Sequence, residues 1–382
     1  MRRGRGRVVG DDFDTEIARR VHELLVPHYL SLRSAAWLAL LLSSLCACSN
    51  SSPNPDPPAG EPGDAELEAL FAGAAEDGFV GAALVSVDGR RAYAKGFGLA
   101  DRATDTPNTT RTAFDVGSLL KDFTAAAVYL LDEREILSVN DTLASVLPDV
   151  PDDKAEITLL QIIQHQAGFD TYHDTEGDFE PMTRSEARAR ILAQELLFEP
   201  GTDEEYSNAG YTLLADIVET VSEKAYTAFV HDELFAPAGM RESGFYSEEL
   251  WQSVQTAVGY GSDTFGDNDP ATWPYTWALV GNGGLVSTVE DLERWIIALE
   301  GGEILAPGTF ERMRADYLEL GAATLCGETV YAGAGAGDFG LGGVAVSAPG
   351  KATRILLASN EYDAFDIEEF AGDVASTVIC RE

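Results

Sequence analysis

The sequence predicts an α+β fold, with an antiparallel sheet flanked by N- and C-terminal helices and an inserted helical domain. Three observations indicate this class. Strand-like segments with tight turns lie near both ends of the folded region. The middle third, about 135–275, has mostly helical periodicity. An apolar pattern of helical spacing at 366–379 predicts a terminal helix.

Composition bounds the class of protein. The chain has 382 residues, 45% of them hydrophobic, and a mean hydropathy of −0.07. It is therefore long enough for one large domain or two smaller ones. The formal net charge is −38 and the isoelectric point about 4.2. Such a surface repels nucleic acid and argues against polyanionic partners.

The first 48 residues have the features of a targeting segment. The apolar stretch 35–45 is too short to cross a bilayer but fits the hydrophobic region of a signal peptide. Its end, Leu45-Cys46-Ala47-Cys48, resembles a bacterial lipobox. We expect lipidation at Cys48, because Leu45 precedes Cys46 where a small residue is expected. A plain secretory signal and an uncleaved anchor are the alternatives.

These features predict an exported lipoprotein of the cell envelope, anchored on the periplasmic side of a bacterial membrane. The polar segment before the apolar stretch is longer than a signal peptide requires, so it is either a cytoplasmic extension or sequence upstream of the true start. Residues 49–63, rich in Ser, Pro and Gly, predict a flexible linker. The folded domain is predicted over 64–382, with a sheet part at 64–134 and 276–382 and a helical part at 135–275.

The elements of the folded domain follow from periodicity and turn signals. We predict helices at 64–78, 118–133, 157–169 and 366–379, a capped helix within 283–302, a strand pair around Asp88-Gly89, and paired strands at 340–348 and 353–360.

A serine and a lysine stand one helical turn apart at the start of the predicted helix 118–133. Residues three apart share a helix face, so the Ser118 hydroxyl and the Lys121 amine would lie side by side. A buried amine is costly unless it is paired or deprotonated. The pair is therefore either a helix cap with an incidental lysine or an activated nucleophile.

Three further motifs favour the nucleophile. A Thr-initiated helix ends at a glycine turn near Gly168, the segment 200–211 reads PG-x4-YSN-x-GY, and GG-L-x-ST-x-x-DL follows from Gly283. In this order the set resembles the serine β-lactamase and penicillin-binding-protein-like hydrolases, in the branch of class C β-lactamases, D-alanyl-D-alanine carboxypeptidases and esterases. The resemblance covers about 65–375 and implies a β-lactamase/transpeptidase-like fold.

The resemblance assigns roles to individual residues. Ser118 is the expected nucleophile, and either Lys121 or Tyr206 is the expected general base. Asn208 is expected to hydrogen-bond Lys121 and the substrate.

The oxyanion hole is expected to consist of the Ser118 N–H and a backbone N–H from the strand near 334–340. Ala334 and Gly335 are the predicted substrate-binding residues on that strand.

One departure from the family pattern bears on the substrate. Relatives carry a basic residue on the strand that lines the site, and its position falls here at about Ala332 or Ala334. No Lys, Arg or His lies between Glu328 and Lys351. Because such a side chain commonly binds a substrate carboxylate, its absence favours neutral esters or amides.

Two other chemistries are weaker candidates. Residues 335–340 match G-x-G-x-x-G, but the following residues predict a strand where a dinucleotide site needs a helix. The histidines show no metal-ligand spacing, so we expect neither a metal nor a cofactor. His165 is interpreted as a structural hydrogen-bonding residue.

Cys326 and Cys380 lie in the folded part of the chain. An oxidising compartment would permit a disulfide between them, and two separate buried thiols are the alternative. We predict the disulfide.

The sequence thus predicts an exported serine hydrolase that cleaves a small-molecule or peptide ester or amide through an acyl-enzyme on Ser118. An esterase is favoured over a D-alanyl-D-alanine carboxypeptidase, a D-amino-acid peptidase or a β-lactamase. The alternative of a different class is a non-catalytic peptidoglycan-binding or sensor module on the same fold. The oligomeric state stays open.

Overall fold

The computed structural model describes residues 64–175, 177–261 and 268–381, without the side chains of residues 319 and 320. The predicted signal segment, Cys48 and the predicted linker lie outside the described residues. Within the described ranges, no helix combines the length and the apolar character that crossing a membrane requires.

A six-stranded antiparallel sheet is the centre of the fold, with the strand order β2-β1-β11-β10-β9-β8. Its strands are β1 (Gly81–Val87), β2 (Arg90–Phe97), β8 (Ala322–Leu325), β9 (Glu328–Ala336), β10 (Gly342–Ala348) and β11 (Thr353–Ser359). Smaller sheets contain β3 (Leu99–Asp101), β4 (Thr106–Pro107), β5 (Phe114–Asp115), β6 (Gly244–Phe245) and β7 (Leu285–Ser287). The predicted antiparallel sheet, built from both ends of the chain, is confirmed.

Helices cover both faces of this sheet. They are α1 (Ala65–Glu76), α2 (Leu120–Glu133), α3 (Leu143–Val146), α4 (Leu159–Ile163), α5 (Arg184–Ala193), α6 (Asn208–Ser222), α7 (Tyr226–Val230), α8 (Ala236–Ala238), α9 (Val289–Gly301), α10 (Pro307–Asp316) and α11 (Ile367–Ile379). Several begin at the predicted kind of cap: the Thr158 side chain caps α4, and the Thr288 side chain accepts from Asp291 N–H at the start of α9.

The alternation of side chains along the strands creates two cores. One face of the sheet, with Leu84, Leu356 and Ala345, packs toward α2 and the inserted helices. The other face, with Val344 and Val346, packs under α1 and α11. Successive strand residues point to opposite faces, so each position on β9 belongs to one core or the other.

The inserted part is less helical than the sequence pattern predicts. Helix α4 ends at Ile163, before the predicted end near Gly168, and long connections separate the short helices α3 to α8. The Thr158 capping box starts α4, but His165 adopts a left-handed conformation with φ +59° that ends it early. Helix α10 and strand β8 were not predicted.

Cys326, in the turn between β8 and β9, forms a disulfide with Cys380, which directly follows α11. The disulfide therefore fastens the edge hairpin of the sheet to the terminal helix.

Candidate active site

Ser118 lies in a helical turn, Gly117–Leu119, that leads directly into α2. Gly117 is left-handed, with φ +52°, and a Cβ built on it would lie 2.3 Å from the carbonyl oxygen of Ala336. Only glycine fits both constraints, which allow the turn to approach the sheet closely. The result places Ser118 in the turn that directly precedes the 14-residue helix α2, at the helix end where the dipole favours negative charge.

Lys121 points its amine at the serine. Lys121 Nζ lies 3.0 Å from Ser118 Oγ and donates to the carbonyl oxygen of Asn282 at 2.7 Å. The lysine is only 3% exposed, and this burial lowers its pKa to about 7. A substantial share of the amine is therefore neutral near pH 7 and able to accept a proton.

Tyr206 reaches the same hydroxyl from the other side. Its phenol donates to Ser118 Oγ at 2.7 Å, and Lys121 Nζ lies 4.8 Å from the centre of its ring. The three predicted catalytic side chains are thus brought into mutual contact.

His165 holds the segment that carries Tyr206. Its Nδ1 accepts a hydrogen bond from Ser207 N–H at 3.1 Å, and its ring lies against the Tyr206 ring at 4.8 Å between centroids. An accepting Nδ1 is unprotonated. The contacts agree with the structural interpretation of this histidine.

Asn208 lines the site but does not form the predicted bond to the lysine. Its Oδ1 is buried and has no hydrogen-bond partner in the described part of the chain. The acceptor for Lys121 is instead the Asn282 carbonyl, which lies in a tight turn between two left-handed glycines, Gly281 and Gly284. The G-N-G-G sequence contained the signal for this turn, but its carbonyl was not predicted as a partner of Lys121.

The backbone of β9 closes the site next to Ser118. A Cβ built on Gly335 would lie 2.0 Å from the Val116 carbonyl oxygen and 2.6 Å from Ser118 N. The strand therefore touches the nucleophile turn through a position where no side chain fits.

Ala332 and Ala334 are the two positions of β9 at which the sequence comparison places the family's missing basic residue. Both side chains pack against the core under α1 and α11, on the sheet face away from the site. Alternation along the strand puts Gly333 on the site face, and a Cβ there would lie 3.3 Å from Leu119 Cδ2. Position 333, the site-facing position between Ala332 and Ala334, thus carries no side chain.

The G-x-G-x-x-G match has a different structural setting from a dinucleotide site. Residues Asp338–Gly340 form a short turn that leads into β10, so no helix follows the glycines. The strand that was predicted to follow is present.

Two cavities meet at Ser118 and Tyr206. The first, about 160 Å³, extends between α2, α9, α10 and β9, and its wall is mainly apolar. The second, about 120 Å³, contains Asn208 and three carboxylates, Asp115, Asp178 and Asp338.

The carboxylates of the second cavity were not predicted. Asp115 is buried and accepts from Tyr246 OH and Gly117 N–H, and burial raises its pKa to about 6. Burial also raises the pKa of Asp178. The negative charge of Asp178 in turn raises the pKa of Lys121, against the larger lowering by burial. No local pattern marks an isolated Asp in a loop as a neighbour of a serine 60 residues earlier.

A serine activated by lysine and tyrosine at the start of a helix, beside a strand backbone, defines a serine hydrolase of the acyl-transfer class. The family model described as Beta-lactamase matches residues 67–358. The chain therefore belongs to the β-lactamase family of serine hydrolases, which includes penicillin-binding proteins, carboxypeptidases and D-aminopeptidases.

Two relatives illustrate the similarity. The chain is 30% identical over 238 residues to the penicillin-binding protein PbpX of Bacillus subtilis, covering 62% of this chain and 59% of the relative. It is 30% identical over 229 residues to a D-aminopeptidase of Brucella anthropi, covering 56% and 41%. The chain thus spans about half the length of these curated relatives.

Solved structures share the fold. An octameric penicillin-binding protein homologue from Pyrococcus abyssi superimposes with a TM-score of 0.71 at 23% identity, over 83% of this chain and 78% of that one. D-amino acid amidase from Ochrobactrum anthropi gives a TM-score of 0.68 at 20% identity, over 82% and 98%. These likenesses confirm the predicted fold class.

Proposed function

We propose that the protein is an esterase that cleaves neutral esters through an acyl-enzyme on Ser118. The observation that carries this proposal is the double contact of Ser118 Oγ with Lys121 Nζ at 3.0 Å and Tyr206 OH at 2.7 Å. Two groups that can exchange protons with one hydroxyl are what an activated serine requires.

In the first step Ser118 Oγ attacks the substrate carbonyl carbon, and the serine proton passes to the Lys121–Tyr206 pair. The Ser118 N–H and the backbone at the end of β9 stabilise the negative charge on the carbonyl oxygen. The pair then returns the proton to the leaving alcohol. A water molecule then attacks the carbonyl carbon of the acyl-enzyme and gives its proton to the Lys121–Tyr206 pair. The pair returns that proton to Ser118 Oγ as the acid leaves.

The preference for neutral esters rests on the site face of β9. Gly333 occupies the site-facing position, and residues 329–350 contain no basic side chain. A substrate carboxylate would lack a charge-assisted partner on this strand, which argues against β-lactams and D-alanyl-D-alanine peptides.

The test is a panel of p-nitrophenyl acetate, nitrocefin and a D-alanyl-D-alanine peptide, assayed with the full chain and with Ser118→Ala. We expect the acetate to be hydrolysed fastest by the native protein and Ser118→Ala to fall to background. Mapping of a fluorophosphonate probe should place the label on Ser118. Labelling on another residue, or turnover retained in Ser118→Ala, would refute the proposal.

A second candidate function is an amidase acting on substrates with a free amino group. The three carboxylates of the second cavity favour it, because they could neutralise a substrate ammonium next to Ser118. The similarity to a D-aminopeptidase points the same way. The test compares kcat/KM for D-alanine p-nitroanilide with kcat/KM for its N-acetylated form. Only a site that binds the free amine prefers the substrate without the acetyl group.

We also propose that the protein is an envelope lipoprotein anchored through Cys48. The Cys326–Cys380 disulfide supports an oxidising compartment. Metabolic labelling with an alkyne-modified fatty acid should tag the native protein and not Cys48→Ser, with Cys46→Ser as the matched control. Equal labelling of Cys48→Ser would reject this anchor.

A further inference from the structure

The first cavity begins at Ser118 and follows β9 away from it. Ser118 lies level with Gly335, and Tyr331 lines the far part of the cavity. The two positions are four residue steps apart along the strand, which corresponds to about 13 Å. The cavity is therefore much longer than an acetyl group.

The wall of this cavity is made by helices and by small strand residues. Gly333 and its register partner Ala345 form the sheet side, and both remain partly exposed although they lie on central strands. Large apolar side chains form the opposite wall: Leu292, Trp295, Leu299, Phe310 and Leu318. Small residues on one wall and large apolar ones on the other leave an elongated apolar space.

The charged side chains at the far end of the cavity are paired with one another. Arg314 donates to Glu311 and to Tyr331 OH, and Glu300 accepts from Ser347 Oγ at 2.7 Å and from Arg354. Because each of these charges is paired with an opposite one, the end of the cavity offers, among its described residues, no unpaired charge to bind a charged group of a ligand.

We propose that this cavity binds a linear hydrocarbon chain of the substrate while its carbonyl is held at Ser118. This proposal rests on the proposed esterase function and names its substrate class: esters that carry a medium-length alkyl chain. An apolar chain is the chemistry that gains from such a wall, because each buried methylene removes apolar surface from water.

Two ester series distinguish on which side of the scissile bond the chain lies. The first lengthens the acid, from p-nitrophenyl acetate through butyrate and hexanoate to octanoate. The second lengthens the alcohol, from ethyl acetate to octyl acetate. In the matching series we expect kcat/KM to rise about fourfold per added methylene until the cavity is full, the factor that about 0.8 kcal/mol gives.

Variants that fill the cavity test its location. Gly333→Leu and Ala345→Leu should each lower the long-chain to short-chain kcat/KM ratio at least tenfold. Ala69→Leu, on the exposed face of α1, is the matched control and should keep the native ratio. Because the readout is a ratio within one protein sample, a partly unfolded variant does not imitate the effect, and two variants at different strands guard against a failure to fold.

The outcomes separate the two proposals. If acetate esters are hydrolysed at Ser118 but kcat/KM stays flat or falls with chain length in both series, the hydrocarbon site is wrong and the esterase survives. An unchanged ratio in both cavity-filling variants has the same meaning. If no ester of either series is turned over, the esterase proposal itself fails.

Discussion

The phenol oxygen of Tyr206 lies 2.7 Å from Ser118 Oγ, although 88 residues separate them in the chain. The contact depends on a loop that His165 holds and on a turn that Gly117 makes possible. The position of the Ser118 hydroxyl therefore depends on three segments that are distant in sequence, those of Ser118, His165 and Tyr206.

The acid side of the pH profile should report the Lys121 amine. Burial lowers the pKa of Lys121 to about 7, and only the neutral amine accepts a proton. Ester kcat/KM should therefore rise as the pH increases through about 7. Stopped-rate assays from pH 5 to 9 check this; a profile that is flat across that range would exclude the lysine as a base.

Asp178→Asn should move this limb to lower pH. The Asp178 charge raises the pKa of Lys121, so removing the charge lets the lysine lose its proton more easily. The measurement is the pH at half-maximal kcat/KM on a neutral ester. Asp88→Asn, in the exposed turn between β1 and β2, is the matched control and should leave the limb in place.

His165 should act by positioning Tyr206. His165→Ala removes the acceptor of Ser207 N–H and the ring against Tyr206, and we expect kcat to fall about tenfold, from a lost hydrogen bond of about 1–1.5 kcal/mol. His165→Asn keeps an acceptor and tolerates the left-handed backbone, so it should recover part of kcat. Equal loss in both variants would argue against positioning through this bond.

Gly335→Ala should nearly abolish activity. The added Cβ would lie 2.0 Å from Val116 O and 2.6 Å from Ser118 N, so the strand must move away from the nucleophile. We expect at least a hundredfold loss in kcat, the scale of a lost oxyanion-hole donor. Gly73→Ala, where a Cβ on α1 meets no atom within 4 Å, is the control and should retain full activity.

The disulfide should stabilise the fold without taking part in catalysis. Cys326 and Cys380 are 54 residues apart, and a loop of this size predicts about 4 kcal/mol. Cys326→Ser with Cys380→Ser should lower the free energy of urea unfolding by that amount while kcat at 25 °C stays near native. An unfolding free energy equal to that of the native protein would contradict the prediction.

The sequence was informative where chemistry is local. Ser118 and Lys121 are three residues apart in the helical segment that begins with the turn Gly117–Leu119 and continues as α2, so their contact follows from local spacing. The Asp88-Gly89 turn and the strand pattern around it predict β1 and β2, and periodicity predicts β10, β11 and the terminal helix α11. Tyr206 was placed by the resemblance to a family, since nothing local links it to Ser118.

The features that were missed depend on tertiary contacts. Which face of β9 meets the site depends on strand register, and a shift by one residue exchanges Gly333 with Ala334. Asp178 enters the site from a loop with no periodic signal. The Asn282 carbonyl replaces Asn208 as the partner of Lys121 because of a turn conformation that the residue types allow but do not specify.

The pairing of β1 with β11 has a consequence for how the protein is made. The nucleophile turn is translated early, but β9 follows some 200 residues later, and β11 is needed before β1 has both neighbours. A ribosome-bound chain that has only passed its midpoint holds Ser118 and Tyr206 without the strand that completes their site. The chain therefore becomes able to hydrolyse a substrate only when its synthesis is nearly complete, so Ser118 is inactive in the nascent polypeptide.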